Sequence, residues 1–186
     1  MSRKKAYVIG TNVSNSLSPA IFQYWFEKHN VDGKYGYIEI KEKDFDKEIK
    51  LILKEESLVG LNITMPYKEK IIPHMAPNDI GIIGLDMHAG RIGAVNYTAK
   101  TSLIGGWNGY NSDYLGFEKS IEPFEKKTDI NTAVVIGYGG AAKAIIYSLY
   151  KKGKKIKLFN RSYKKISNLG IDMPHYSQLI GWKKKP

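Results

Sequence analysis

Gly137-Tyr138-Gly139-Gly140-Ala141-Ala142 lies between a run of small and β-branched residues, Thr132–Gly137, and a stretch of helical period, Ala141–Lys152. A strand that passes through a glycine turn straight into a helix is the opening of a parallel β–α–β unit. Gly137 permits the tight turn, Gly139 lets the backbone approach a pyrophosphate, and the small Ala142 allows close helix–strand packing. The helix start adds free N–H groups and the positive end of the helix dipole. A glycine turn without a ligand is the alternative, but the strand–turn–helix context points to dinucleotide binding. The next strand, Lys155–Asn160, runs into Asn160-Arg161-Ser162 with Lys164 and Lys165 behind it. An NAD site wants a carboxylate there for the ribose hydroxyl, whereas a guanidinium flanked by lysines suits a 2′-phosphate. NADP is therefore preferred over NAD.

Charge is distributed unevenly. Residues 1–130 carry 17 basic and 17 acidic side chains, and residues 131–186 carry 12 basic side chains against the single acid Asp172. The whole net charge of +11 thus sits beside the glycine turn, where it suggests either an anionic ligand or a lysine-rich solvated face. No helix-turn-helix or zinc pattern accompanies the lysines, so no nucleic-acid partner is expected. The chain has no cysteine, which excludes disulfides and thiolate sites, and its four histidines are too scattered for a metal centre. No apolar run is long enough to span a bilayer and the N-terminus lacks a signal-peptide core, so a soluble cytoplasmic protein without a membrane partner is expected. With 186 residues and 42% apolar content, a real core can be buried in one ordinary domain or two small ones.

Strands and helices alternate along the chain. Lys5–Gly10, Tyr35–Ile40 and Val59–Met65 read as strands, and Ala94–Ala99 and Ser102–Gly106 as two more joined at Lys100-Thr101. Ser18-Pro19 predicts a helix start with serine as N-cap, Ile21, Tyr24 and Trp25 recurring at helical spacing with Phe22 and Phe26. Further helices are expected from Asp44 to about Lys54, over Tyr67–His74, and over Asn111–Phe124. This is an α/β pattern with mostly parallel sheets. A domain junction is placed at 112, giving domains 1–112 and 113–186.

Several polar clusters sit at predicted strand ends: Ser16-Leu17-Ser18-Pro19, Asn62-Ile63-Thr64-Met65-Pro66-Tyr67-Lys68, Gly93-Ala94-Val95-Asn96 and Asn111-Ser112-Asp113. Each alone is explained as a cap, a strand end or a surface charge. Taken in order with the glycine turn and Asn160-Arg161-Ser162, they resemble the shikimate dehydrogenase family. That resemblance implies an N-terminal α/β substrate-binding domain followed by a Rossmann NADP-binding domain. The second would be incomplete, with two strands after Asn131 and a loop at Trp182–Pro186 entering a missing strand, as if the chain held the N-terminal two-thirds of the family's length.

The resemblance also implies roles. Ser16 and Ser18 would bind a substrate carboxylate, and Asn62, Thr64, Asn96 and Asp113 the ring hydroxyls. Lys68 would be the acid/base group, paired with Asp113. Gly137, Tyr138, Gly139, Gly140 and Ala141 would cradle the pyrophosphate, and Asn160, Arg161, Ser162, Tyr163, Lys164 and Lys165 the 2′-phosphate end of NADP. The implied reaction is the NADPH-dependent, reversible reduction of 3-dehydroshikimate to shikimate on the way to chorismate and the aromatic amino acids, by a monomer or homodimer. A paralogue acting on quinate or an aminated analogue, and a shikimate-binding chain without hydride transfer, are the alternatives. The chain departs from the pattern in a longer segment, Pro77–Gly90, and in Tyr97 and Ser112, which stand where the family has threonines.

Overall fold

The computed structural model describes residues 3–75, 84–101, 106–129 and 131–160, together with the backbone of 176–181. It divides into two compact units, one of residues 1–90 and 95–110, the other of 91–94 and 111–186.

The first unit is built on a five-stranded sheet. Strands β1 (Lys4–Gly10), β2 (Gly33–Glu39), β3 (Leu58–Ile63), β4 (Tyr97–Lys100) and β5 (Trp107–Tyr110) lie in the order β2-β1-β3-β4-β5. β1 runs parallel to both β2 and β3, and β4 and β5 add an antiparallel hairpin at one edge. Helices α1 (Ser18–Lys28) and α2 (Phe45–Ile52) provide the β–α–β crossovers. Ile9, Ile40, Phe45, Ile49, Leu58, Leu61, Tyr67, Ile71 and Met75 form the main core, where the Phe45 and Tyr67 rings stack with centroids 4.2 Å apart. The inward face of α1 is narrower than its sequence suggests. Phe22 and Phe26 pack with Val8, Val13 and Tyr35, while Ile21, Tyr24 and Trp25 are exposed, because one side of a helix meets the sheet however apolar its other side is.

Local expectations differ from the structure at several points. α1 begins at Ser18 itself, with Leu17 before it and no side-chain cap. The segment after the cis peptide bond Met65–Pro66 forms turns and a short 3-10 helix, Ile72–His74, rather than one helix from Tyr67. The strand expected over Ser102–Gly106 lies at Trp107–Tyr110, and residues 102–105 are outside the described residues. Of Pro77–Gly90, residues 84–90 are described. Gly84 bonds by its N–H to Met75 O and accepts from Gly109 N–H, Leu85 forms a bridge with Gly109, and helix α3 (Met87–Ile92) follows with its Ala89 N–H held by Asp86 Oδ1 at 2.5 Å.

Gly84 is wedged between two backbones. A Cβ there would lie 2.2 Å from Met75 O and 2.4 Å from Trp107 O, and neither carbonyl belongs to a flexible side chain. Gly84→Ala is therefore expected to cost about 2–3 kcal/mol through overpacking, read as a lower denaturation midpoint with an unchanged slope. An unchanged midpoint would contradict this packing.

The second unit holds a parallel sheet, β6 (Thr132–Ile136), β7 (Lys155–Asn160) and β8 (Tyr176–Gly181), in the order β6-β7-β8. β8 is a third strand where the sequence suggested two. Its stretch Tyr176-Ser-Gln-Leu-Ile-Gly has no clean alternation, and it is recognisable by its pairing with β7. Helix α5 (Gly140–Lys151) crosses from β6 to β7, and α4 (Asp113–Glu125) precedes β6. Val135, Tyr138, Ile146, Leu149, Ile156 and Leu158 make one core, and Ile92, Ala94, Tyr114, Ala144 and Tyr147 another. Part of the C-terminal basic excess is structural. Glu125 pairs with Lys152 at 2.8 Å and Lys154 at 3.2 Å, and Glu118 with Lys151 at 3.4 Å, which ties α4 to the end of α5. Among the described residues, no helix is long and apolar enough to cross a membrane.

Candidate active site

In the first unit, Asn62, Thr64, Lys68 and Asn96 are gathered at the C-terminal end of β3 by backbone hydrogen bonds. Thr64 N–H donates to Ile9 O at 3.0 Å, and Ile63 N–H donates to Asn96 O at 2.7 Å, which fixes Asn96 beside the Asn62–Thr64 stretch. Tyr67 N–H closes a turn on Thr64 O at 2.9 Å, and Val95 N–H reaches Lys68 O at 2.7 Å. The fully buried Tyr67 donates its hydroxyl to Ile40 O, so the turn that carries Lys68 is anchored through the core. The C-terminal end of a parallel sheet is where open α/β folds place their ligands. Asn62, Thr64, Lys68 and Asn96 are all half-buried there, accessible but held.

Ser16 and Ser18 arrive on the loop between β1 and α1. Ser18 N–H donates to Ser16 Oγ at 3.2 Å. Two residues that the sequence did not single out build this part of the site. The carboxylate of Glu39, at the end of β2, accepts from Val13 N–H and Ser14 N–H, both at 2.9 Å, and so pins the loop leading to Ser16. Tyr35, on β2, donates its hydroxyl to Asn62 Oδ1 at 2.6 Å. The sequence pattern places Tyr35 at the start of a strand and gives its hydroxyl no role.

The hydrogen bonds from Ser14 and Val13 hold the Glu39 carboxyl below the ordinary 4.5. A carboxyl whose folded value is depressed contributes its stabilisation above its unfolded value and loses it as pH falls through the folded one. The Val13 and Ser14 amides are therefore expected to be protected from hydrogen exchange at neutral pH and to lose protection under acid, below the ordinary glutamate range. Glu39→Gln should flatten that profile. An identical pH dependence in the variant would remove Glu39 from this role.

In the second unit, the buried Asn111 donates from Nδ2 to Ala94 O at 2.9 Å and accepts at Oδ1 from Asp113 N–H at 3.0 Å. It fastens residues 91–94 to the start of α4, whose first residue is Asp113. The glycine turn has the expected form. Gly137 has φ +94, the left-handed region that favours glycine, and its N–H bonds Phe159 O at 2.7 Å. Gly139 is the extended N-cap of the twelve-residue α5, which starts at Gly140 and Ala141. Its φ of −94 suits any residue, and a Cβ there would meet none of the described residues within 4 Å. Among the described residues, nothing in the packing requires a bare backbone at Gly139, which stands at the start of α5. The Tyr138 ring is buried in the core with Lys143 Nζ 5.4 Å from its centroid, so only its backbone belongs to the turn surface. Asn160 ends β7, paired in register with Gly181. Arg161, Ser162, Tyr163, Lys164 and Lys165 lie outside the described residues.

Residues 8–98 match the family model described as the shikimate dehydrogenase substrate binding domain. The shikimate dehydrogenase (NADP(+)) of Clostridium perfringens is 38% identical over 179 residues, which cover 92% of this chain and 62% of that protein. The chain is similar to shikimate dehydrogenases over nearly its whole length. It spans about three fifths of the length of the curated relatives it matches. The crystal structure of shikimate dehydrogenase from Aquifex aeolicus superimposes with a TM-score of 0.79 at 30% identity, covering 97% of this chain and 62% of that one. The Thermus thermophilus enzyme, solved in complex with NADP(H) and shikimate, superimposes with a TM-score of 0.70 at 26% identity, covering 89% of this chain and 59% of that one. The α/β architecture, with a Rossmann-like sheet in the second unit, is therefore that of shikimate dehydrogenases.

Proposed function

We propose that this chain is the substrate-binding unit and the first part of the cofactor unit of an NADP-dependent shikimate dehydrogenase, with domains over 1–112 and 113–186. The observation that carries this reading is the gathering of Asn62, Thr64, Lys68 and Asn96 at one strand end, in a chain similar to the Thermus thermophilus enzyme that was solved with both NADP(H) and shikimate.

A polyhydroxylated carboxylate needs hydroxyl donors for its anionic end and amides for its ring hydroxyls. Ser16 and Ser18 supply the first, and Asn62, Thr64 and Asn96 the second. Bound NADPH supplies the hydride. The carbonyl oxygen that gains negative charge needs a proton, and an ammonium at Lys68 is the donor. The family resemblance gives Asp113 the part of its carboxylate partner. The turn at Gly137–Ala141 would hold the pyrophosphate on backbone N–H groups, and Asn160 with Arg161–Lys165 the 2′-phosphate, which selects NADP. The protein works in the cytoplasm as a monomer or homodimer, on a small-molecule substrate and without nucleic-acid or membrane partners.

The test is NADP+ reduction by the purified chain with shikimate, and with quinate in parallel. Turnover faster with shikimate is expected. Turnover with quinate alone, or with NAD+ in preference to NADP+, would overturn the assignment.

A further inference from the structure

The side chain that joins the two halves of the substrate site is one that neither the motif pattern nor the family roles single out. Tyr35 sits in the interior of β2, opposite Ala6 of β1, with its ring stacked on Phe22 at 4.0 Å and an interplanar angle of 3°. The residue is only 8% exposed, so packing fixes where its hydroxyl lies. That hydroxyl donates to Asn62 Oδ1 at 2.6 Å, and Ser18 is hydrogen-bonded to the same phenol oxygen. Burial pushes the phenol up to about 12, so it stays protonated, and because its single proton goes to Asn62 Oδ1, Ser18 is the donor of the second bond. The order of bonds is then Ser18 O–H to Tyr35 Oη, and Tyr35 O–H to Asn62 Oδ1.

We infer that Tyr35 is a positioning residue for the substrate, one buried phenol that sets the hydrogen-bonding sense of both Asn62 and Ser18. This rests on the function proposed above. An asparagine amide can be turned either way, offering a carbonyl or an NH2. With Oδ1 taken by Tyr35, Asn62 presents its NH2, and so it selects a ligand atom that accepts, such as a hydroxyl oxygen. Ser18 carries one proton, which Tyr35 holds in the ligand-free chain. A carboxylate accepts only, so binding it at Ser18 requires that proton to swing from Tyr35 to the ligand. The Ser18–Tyr35–Asn62 chain thus couples recognition of the acid end to recognition of the ring hydroxyls.

Tyr35→Phe keeps the ring and its stack and removes only the relay. Shikimate binding by calorimetry is expected to weaken about tenfold, the scale of one misdirected hydrogen bond in a desolvated site. In steady state KM should rise by about the same factor, with kcat changing less than about threefold, because uniform binding is lost and not transition-state stabilisation. In an Asn62→Ala background the same substitution should cost less than it does alone, since the part of its effect that passes through Asn62 is already lost. Shikimate binding unchanged in Tyr35→Phe, or a full additive loss in the double variant, would overturn the inference while leaving the proposed function intact. No shikimate binding by the wild-type chain would overturn both.

Discussion

Lys68→Ala is expected to lower shikimate-dependent NADP+ reduction at least about 100-fold, the usual scale for removing a positioned acid/base group. Shikimate affinity should change by less than about tenfold, because the ring and the carboxylate are held by Asn62, Thr64, Asn96 and the two serines. The structure gives a reason to expect a clean result. The Lys68 carbonyl receives Val95 N–H at 2.7 Å, and the preceding Tyr67 is buried and stacked on Phe45. The backbone of the turn is therefore set by groups that the substitution leaves untouched. Lys68→Arg keeps a cation but places a group that does not release its proton near neutral pH, and should rescue turnover poorly. Turnover in Lys68→Ala equal to that of the parent would end the assignment of Lys68 as acid/base.

A second large effect is expected at the glycine turn. Gly139→Val should weaken NADP+ binding by about 100-fold or more, since a branched side chain would fill the space in which a pyrophosphate meets the N–H groups of α5. The same substitution should leave the second unit folded, because the extended φ of −94 is open to valine and a Cβ meets none of the described residues within 4 Å. Gly137→Val is the contrasting case. Its φ of +94 is strained for any side chain, so it should cost stability as well as binding. Fluorescence titration with NADPH, alongside thermal denaturation, separates the two. Unimpaired NADPH binding by a folded Gly139→Val protein would remove the cofactor from that turn.

The sequence made some of this legible and hid the rest for physical reasons. The glycine turn could be read because its chemistry is local: three glycines, a β-branched strand before and a helix behind lie within one short window. Asn62, Thr64 and Lys68 stand out only through the resemblance, since each alone reads as a strand end or a surface charge, and the structure brings them to one strand–turn junction. Tyr35 and Glu39 could not be read. Each acts across the sheet, Tyr35 on Asn62 and Glu39 on the loop at Val13 and Ser14, and such contacts follow from the parallel pairing of β2 with β1 and not from neighbours in the chain. Strand β8 was hidden because its six residues lack alternation and depend on β7 for their definition. The surface of α1 misled in the opposite direction. Its aromatic residues circle the helix, and only contact with β2 shows that Phe22 and Phe26 are the inward pair.

The most direct test of the central claim is a calorimetric titration of shikimate into the wild-type chain. One-to-one binding that 3-dehydroshikimate displaces, and that is weakened in Asn62→Ala, is the result expected. A chain that is folded by circular dichroism and takes up no shikimate would contradict it.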